Sequence, residues 1–446
     1  MKKKIIILII ALLLVIGGAG FIYNSFKSNS SGDSVISLSS DTAREDESEV
    51  DWSKYKTYNI ELNSGNVNIT KDGVYNITGT LSNGSIIINT SGNVKLILNG
   101  VEITSKNNPA IYVKKAKNVY IELTGDSKIN ATTTEKLDAA IYSKSDLFIY
   151  GDGSLSVTSN YDGIKSSDDL TILSGTFTIN ASKDGIKGRD SVNIKDGTFD
   201  ITAGDDGIKT TNEKKGNIVI EKGTFKIISE NDGISAQGTL TINDGKYSIT
   251  AGKTKNDEES MKGLKAVNNI TINGGTYSLN TMDDGIHSNK NVTINGGDIS
   301  ITSEDDGIHA DGLVEINDGT FNINGSEGIE ATYVKINGGS INISASDDGI
   351  NATNKSTNYE TTIEINGGDI TIKMGSGDTD GIDSNGNLYI NGGTVNVTGQ
   401  NAFDYDGEAK YTGGNMIVNG VETTTITNQF MGGNGGMMGG GMRNRR

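Results

Sequence analysis

The chain has 446 residues, of which only 34% are hydrophobic, with 60 Gly, 1 Pro, no Cys and a net charge of -17. The absence of Cys excludes a disulfide framework, a thiolate zinc site and a lipid-modified N-terminal cysteine, and the negative charge argues against a nucleic-acid partner. Such a composition permits disorder, but turn and apolar residues recur at fixed offsets along most of the length, and that excludes it there.

Lys2, Lys3 and Lys4 precede an apolar run from Ile5 to Ile16 that continues through Gly18, Ala19 and Gly20 to Tyr23, 19 residues in all. The run predicts export, with the lysines left on the cytoplasmic side. A retained membrane anchor is the first expectation, and cleavage near Gly20 is the alternative. Either outcome places the remainder outside the cytoplasm, at the cell surface or secreted. Residues 24–50, rich in Ser, Asp and Glu, read as a solvated spacer. Residues 51–425 read as one domain, and residues 426–446 as a disordered tail rich in Gly and Met.

Within the domain the dipeptide Asp-Gly, nearly always followed by Ile, begins at Asp162, Asp184, Asp206, Asp232, Asp284, Asp306, Asp348 and Asp380. Lys262-Gly263-Leu264 and Glu327-Gly328-Ile329 fill the two gaps, and the starts lie 21 or 22 residues apart except for steps of 26, 30 and 32. A fixed period of this size predicts a solenoid with insertions. Each unit repeats an apolar position (Ile172, Ile194, Ile220), a turn ending in Gly (Gly175, Gly197, Gly223), then Phe177, Phe199 or Phe225, and two residues later Ile179, Ile201 or Ile227. These runs alternate with period two and are too short and too Gly-bounded for helix. Three short strands per turn predict an all-β fold, a single-stranded right-handed parallel β-helix with about 22 residues per coil. Ile ladders and a Phe/Tyr stack would fill its interior, and Ala181, Ala203, Ala251 and Ala345 would mark a tight corner. Weaker coils continue upstream through Ala110-Ile111-Tyr112 and Ala140-Ile141-Tyr142. Calcium-binding nonapeptide repeats have the wrong period.

Stacking turns the Asp of each Asp-Gly into a column, doubled by Asp205, Asp283, Asp305 and Asp347. Carboxylates ~4.8 Å apart repel by about 3–4 kcal/mol at an effective dielectric near 20, and by roughly 1 kcal/mol in water. In the plainer reading Asp is a turn former ahead of a Gly at positive φ, and Lys165, Lys187, Lys209 and Lys265, each three residues after a column position, balance the charge. Past Lys265 that Lys column becomes His287, His309, Glu330, Asn351 and Asp383 while the acids continue. A hard cation held by oxygens of adjacent coils is then expected, with Ca²⁺ on Asp283, Asp284, Asp305, Asp306, Glu327, Asp347, Asp348 and Asp380, and with Asp205 and Asp206 as further candidates. His287 and His309 beside these carboxylates also raise a transition-metal site, against which stands their reading as outward residues of the former Lys column. Insertions containing Lys255, before Lys262, and Gly375 to Thr379, before Asp380, would frame a groove at this corner; a third lies around Asn354 to Glu360. His287, His309, Lys255 and Lys262 are the candidate carbohydrate contacts.

The Asp-Gly-Ile coils, the turns Asn273-Gly274-Gly275 and Asn295-Gly296-Gly297 and the export segment together resemble a bacterial family of carbohydrate-binding β-helix proteins. The resemblance spans most of residues 60–425. It implies a pectate-lyase-like fold without evident lyase activity, bound calcium on the Asp-Gly column, and binding of cellulose or acidic polysaccharides. Non-catalytic binding by a monomer is therefore expected, with a membrane contact only through the N-terminal segment. A calcium-dependent lyase and a structural or adhesive surface protein are the alternatives. A lyase needs a cation on the uronate carboxylate and an Arg or Lys base beside it, and Arg189, the one Arg within the coils, lies several coils from the doubled acids. Trp52 is the only Trp; Tyr112, Tyr142 and Tyr161 are candidate sugar-stacking residues in the early coils.

Overall fold

The computed structural model describes residues 50–252, 260–376 and 379–428. The expected anchor, all of the spacer but its last residue, the Gly and Met run of the tail, Lys255 with most of its insertion, and Gly377 and Asp378 of the smaller insertion lie outside the described residues. Among the described residues no helix is long and apolar enough to cross a membrane.

Short alternating runs between glycines give strands too brief to pack alone, so the chain winds and each strand pairs with its counterpart one turn on. The result is a parallel β-solenoid of about 16 turns spaced about 22 residues apart. A representative turn comprises Asp162–Ser166, Asp169–Ile172 and Thr176–Ala181, here termed the first, second and third strands. Register is kept from turn to turn: Ile164 lies opposite Ile186, Ile172 opposite Ile194, and Phe177 opposite Phe199. The weaker coils belong to the same ladders, since Ile111 pairs with Ile141 and Ile141 with Ile164. At the far end Asn415–Val418 pairs antiparallel with Val421–Thr423, which turns the ladder back on itself.

The corner before the third strand requires a left-handed backbone, and the second glycine of each turn supplies it, with φ of 129° at Gly175 and 146° at Gly197. Inward positions then superimpose. Phe177, Phe199, Phe225, Tyr247 and Tyr277 stack with ring centroids 4.7–5.0 Å apart and planes within 6°. Ile172, Ile194 and Ile220 form a wholly buried ladder, each side chain worth about 1.5–3 kcal/mol relative to exposure. Ala181, Ala203, Ala251 and Ala345 are buried at the end of the third strand. The early aromatics pack on the protein itself: Trp52 sits edge-on to Tyr120, and Tyr112, 7% exposed, stacks on Tyr142.

Candidate functional site: the acidic corner

The Asp-Gly corner precedes the first strand of each turn. Its glycines differ from the expectation of positive φ, because Gly163, Gly185 and Gly207 are not among the left-handed residues. They are glycines for lack of room. A Cβ at Gly207 would lie 2.4 Å from Ile227 Cγ2 and 2.5 Å from the Gly233 carbonyl oxygen. The corner is pressed between the isoleucine of the third strand and the backbone of the next turn.

That pressure buries the Asp column: Asp162, Asp184, Asp206, Asp232 and Asp284 are at most 3% exposed and Asp306 is 6% exposed. Each carboxylate but that of Asp306 is used twice. Its Oδ1 accepts the backbone N–H of the next turn, at 3.1 Å from Asp184 to Asp162, 3.1 Å from Asp206 to Asp184, 2.9 Å from Asp232 to Asp206 and 3.1 Å from Asp306 to Asp284. Its Oδ2 meets a cation or donor three residues on: Lys165 at 3.2 Å from Asp162, Lys187 on Asp184, and Lys209 at 2.7 Å from Asp206. The column is thus a side-chain-to-backbone ladder with its own counter-charges, and turn chemistry within one residue is a smaller part of its role. Burial, then the charge of Asp232, pushes the Asp206 carboxyl up to about 7.

The loss of counter-charge expected from Asp283 onward begins later. Lys262 occupies an Asp slot and reaches one turn forward, with Nζ 2.6 Å from Asp283 and 2.9 Å from Asp284. His287 Nδ1 lies 2.7 Å from Asp284 Oδ2, and His309 Nδ1 lies 2.8 Å from Asp306 and 2.9 Å from Glu330. The two imidazoles lie on the outward side of the first strand, in register with Lys265, as expected. They stack at 4.7 Å and are largely buried, taking the place of lysines in the column. Although burial opposes it, the hydrogen bonds to Asp306 and Glu330 raise His309 to about 10, which favours the imidazolium. Burial likewise opposes ionisation of Asp284, yet His287 and Lys262 hold it below the usual carboxylate range. Lys355, from the third insertion, pairs with Glu330 at 2.5 Å.

Compact donor trios do occur: Asp283, Asp284 and Asp305; Asp184, Asp205 and Asp206; and Asp306, His309 and Glu330, each with ligand atoms within 4.8 Å of one another. Each already has Lys or imidazolium nitrogen among its carboxylates. Among the described residues, Glu327, Asp347, Asp348 and Asp380 form no trio of that compactness.

Those C-terminal turns differ in charge. Among the described residues Glu327, Asp348 and Asp383 have no ion-pair partner, and Asn351, 8% exposed, keeps its Oδ1 buried without a hydrogen bond while its Nδ2 donates to Glu327 at 3.0 Å. Burial first, then neighbouring carboxylates, pushes Glu327 up to about 8, Asp383 to about 7 and Asp348 to about 6. Asp383 takes the slot that Lys165 and His287 fill elsewhere. The sequence reading placed it in that column without counting it among the ligands; the signal was the change from Lys to Asp.

Other candidates fall outside the corner's open stretch. Lys262, at 12% side-chain exposure, is committed to its two aspartates and His309 is buried, so neither presents a free edge to a sugar. Arg189 is exposed, 3.9 Å from Asp190, in the Lys-balanced turns.

No curated relative matches the chain. A solved structure with similarity is described as that of the polysaccharide lyase-like protein from C. thermocellum, gadolinium derivative; it is 38% identical, covers 41% of this chain and 82% of its own, and has a TM-score of 0.40. The family model for carbohydrate-binding domain-containing proteins matches residues 63–307 and 293–424, which together take in nearly all the described turns. The chain belongs to that carbohydrate-binding domain family.

Proposed function

We propose that the protein binds acidic polysaccharide without cleaving it, through a hard cation of the Ca²⁺ type held at the C-terminal end of the acidic corner. The observation that carries this reading is the break in self-neutralisation. From Asp162 to Asp306 the column meets Lys or His, whereas among the described residues Glu327, Asp348 and Asp383 have no cation partner and face other carboxylates, Glu327 those of Asp306 and Glu330, Asp348 those of Asp347 and Asp380, and Asp383 those of Asp348 and Asp404. Carboxylate and amide oxygens, including the unpartnered Oδ1 of Asn351, are the donors a hard cation takes. A cation there would cancel the repulsion and leave coordination positions for a uronate carboxylate, which the net charge of -17 otherwise repels. Family membership supports the carbohydrate; cation and uronate are the finer proposal.

Two observations support binding over elimination. A base must be free to take a proton, but Lys262 and Lys355 are engaged by carboxylates, and although burial opposes it those partners raise the pKa of Lys262. Arg189 belongs to the Lys-balanced turns. The test is binding of polygalacturonate with calcium and with chelator, while absorbance from unsaturated uronate is followed. Calcium-dependent binding with no absorbance is expected. Binding unchanged by chelator, or accumulating unsaturated product, would overturn the reading.

A further inference from the structure

The chain touches a later turn before it forms the first. Down the second-strand ladder Thr57, Val74, Lys95, Tyr120, Phe148 and Thr171 succeed one another in register on the outward side. From Thr171 onward that column is half-buried, as at Asn193. Val74, Lys95, Tyr120 and Phe148 are instead at most 8% exposed, although they face outward. Residues 51–55, which precede the strand Thr57–Leu62, double back over Lys95 and Tyr120. From Thr57 to Tyr120 is three rungs of the ladder, ~14 Å along the solenoid.

A single 3₁₀ turn, Trp52–Lys54, capped by Asp51, keeps these residues compact. Its backbone bonds are local, from the Lys54 N–H to the Asp51 carbonyl and from the Tyr55 N–H to the Trp52 carbonyl, and side chains make its hold on the solenoid. The Trp52 ring stands edge-on to Tyr120 with centroids 5.1 Å apart. Lys95 Nζ lies 5.1 Å from the Trp52 ring centre while it pairs with Glu122 at 3.2 Å, and the Asn93 amide donates to Tyr55 Oη at 3.2 Å. Two atoms oppose the contact: among the described residues the buried Trp52 Nε1 and Asn93 Oδ1 have no hydrogen-bond partner, and burying such groups unpaired is costly. The attachment is therefore weaker than a rung of the ladder, where backbone groups are paired.

We propose that residues 51–55 are a reversible clasp, through which tension on the preceding chain enters the solenoid at Tyr120 and not at the edge of the first turn, and which yields before that turn does. Each turn of a solenoid is held only by its neighbours, so the first turn, with one neighbour, is where it frays. Load carried to Tyr120 bypasses the rungs of Thr57, Val74 and Lys95. Opening the clasp moves the point of load back three rungs and straightens about five residues, a gain of about 30 Å, and leaves every turn wound. In a protein that grips polysaccharide along its turns, this contact is where a pull on the preceding chain is met. The clasp rests on no part of the cation reading of the acidic corner.

The test is optical-trap pulling of the full-length protein in detergent, through handles on Ser48→Cys and Thr424→Cys, the only thiols in a chain without Cys. The parent should show a first step of about 30 Å that reverses on relaxation, then one of about 60 Å as the chain between Thr57 and Val74 peels away. Trp52→Ala and, from the other side of the contact, Tyr120→Ala should lose the short step and keep the later ones, which report that the turns are wound. In bulk, the fluorescence of Trp52, the only Trp, should change in urea before the far-ultraviolet circular dichroism of the solenoid falls. A first step of about 60 Å in the parent, a short step that survives either variant, or coincident urea transitions would overturn the clasp.

Discussion

At the residue scale, two kinds of glycine that look alike in sequence do different work. Gly197 and its equivalents supply a left-handed backbone, whereas Gly207 supplies empty space. The recurrence of Asp-Gly was legible; its cause was not, because the atoms that crowd Gly207 come from Ile227 and Gly233, 20 or more residues away. The two causes separate experimentally. Gly207→Ala should cost about 1–3 kcal/mol in denaturant unfolding, since its Cβ meets a packed side chain and a backbone oxygen. Gly296→Ala should cost less than about 1 kcal/mol, because the nearest atom, the Asn273 carbonyl oxygen, is 3.5 Å away and the backbone is not left-handed. Equal losses would show that crowding is not what selects glycine at the Asp-Gly corner.

At the scale of the strand, inward and outward positions were readable from alternation alone, since a shift of one residue would put every Phe in water. Phe199 lies between Phe177 and Phe225 at 5.0 and 4.7 Å. Phe199→Asp removes a buried ring and inserts a charge, so a loss above about 4 kcal/mol is expected in urea unfolding. Thr198→Asp, one residue earlier and exposed, should stay within about 0.5 kcal/mol of the parent. Ion pairing was less legible than packing. Lys262 fills an Asp slot in its own turn but pairs with Asp283 and Asp284 of the next, and a side chain long enough to cross ~4.8 Å between turns makes pairing ambiguous in sequence. The same ambiguity hid the imidazolium at His309, which needs both Asp306 and Glu330.

Over the whole molecule, charge is sorted along the axis, with acids balanced by Lys, then by His, then by nothing on Glu327, Asp348 and Asp383 among the described residues. This has a sign in pH. A carboxylate whose folded pKa lies above its unfolded value contributes stability at low pH and loses it as pH rises through the folded value. With Asp162 and Asp348 near 6, Asp206, Asp306 and Asp383 near 7 and Glu327 near 8, the melting temperature in chelator should fall between about pH 6.5 and about pH 8.5. His309, raised from 6.5 to about 10, loses its contribution in the same direction across that window and on to about pH 10. A flat or rising profile would contradict the raised carboxylates of the column, and replacing Asp348 and Asp383 by Asn should make the fall shallower if the C-terminal stretch carries its share.

The most direct test is calorimetric melting at about pH 8 with calcium and with chelator, where Asp348 and Asp383 are mostly ionised. Three proteins are compared: the parent, Asp348→Asn with Asp383→Asn, and Asp184→Asn with Asp206→Asn. Calcium should raise the melting temperature of the parent and of the Asp184/Asp206 variant, whose turns are served by Lys187 and Lys209. It should leave the Asp348/Asp383 variant unmoved, with that variant at least as stable as the parent in chelator. The same calcium shift in all three, or none in the parent, would contradict a cation at the C-terminal end of the acidic corner.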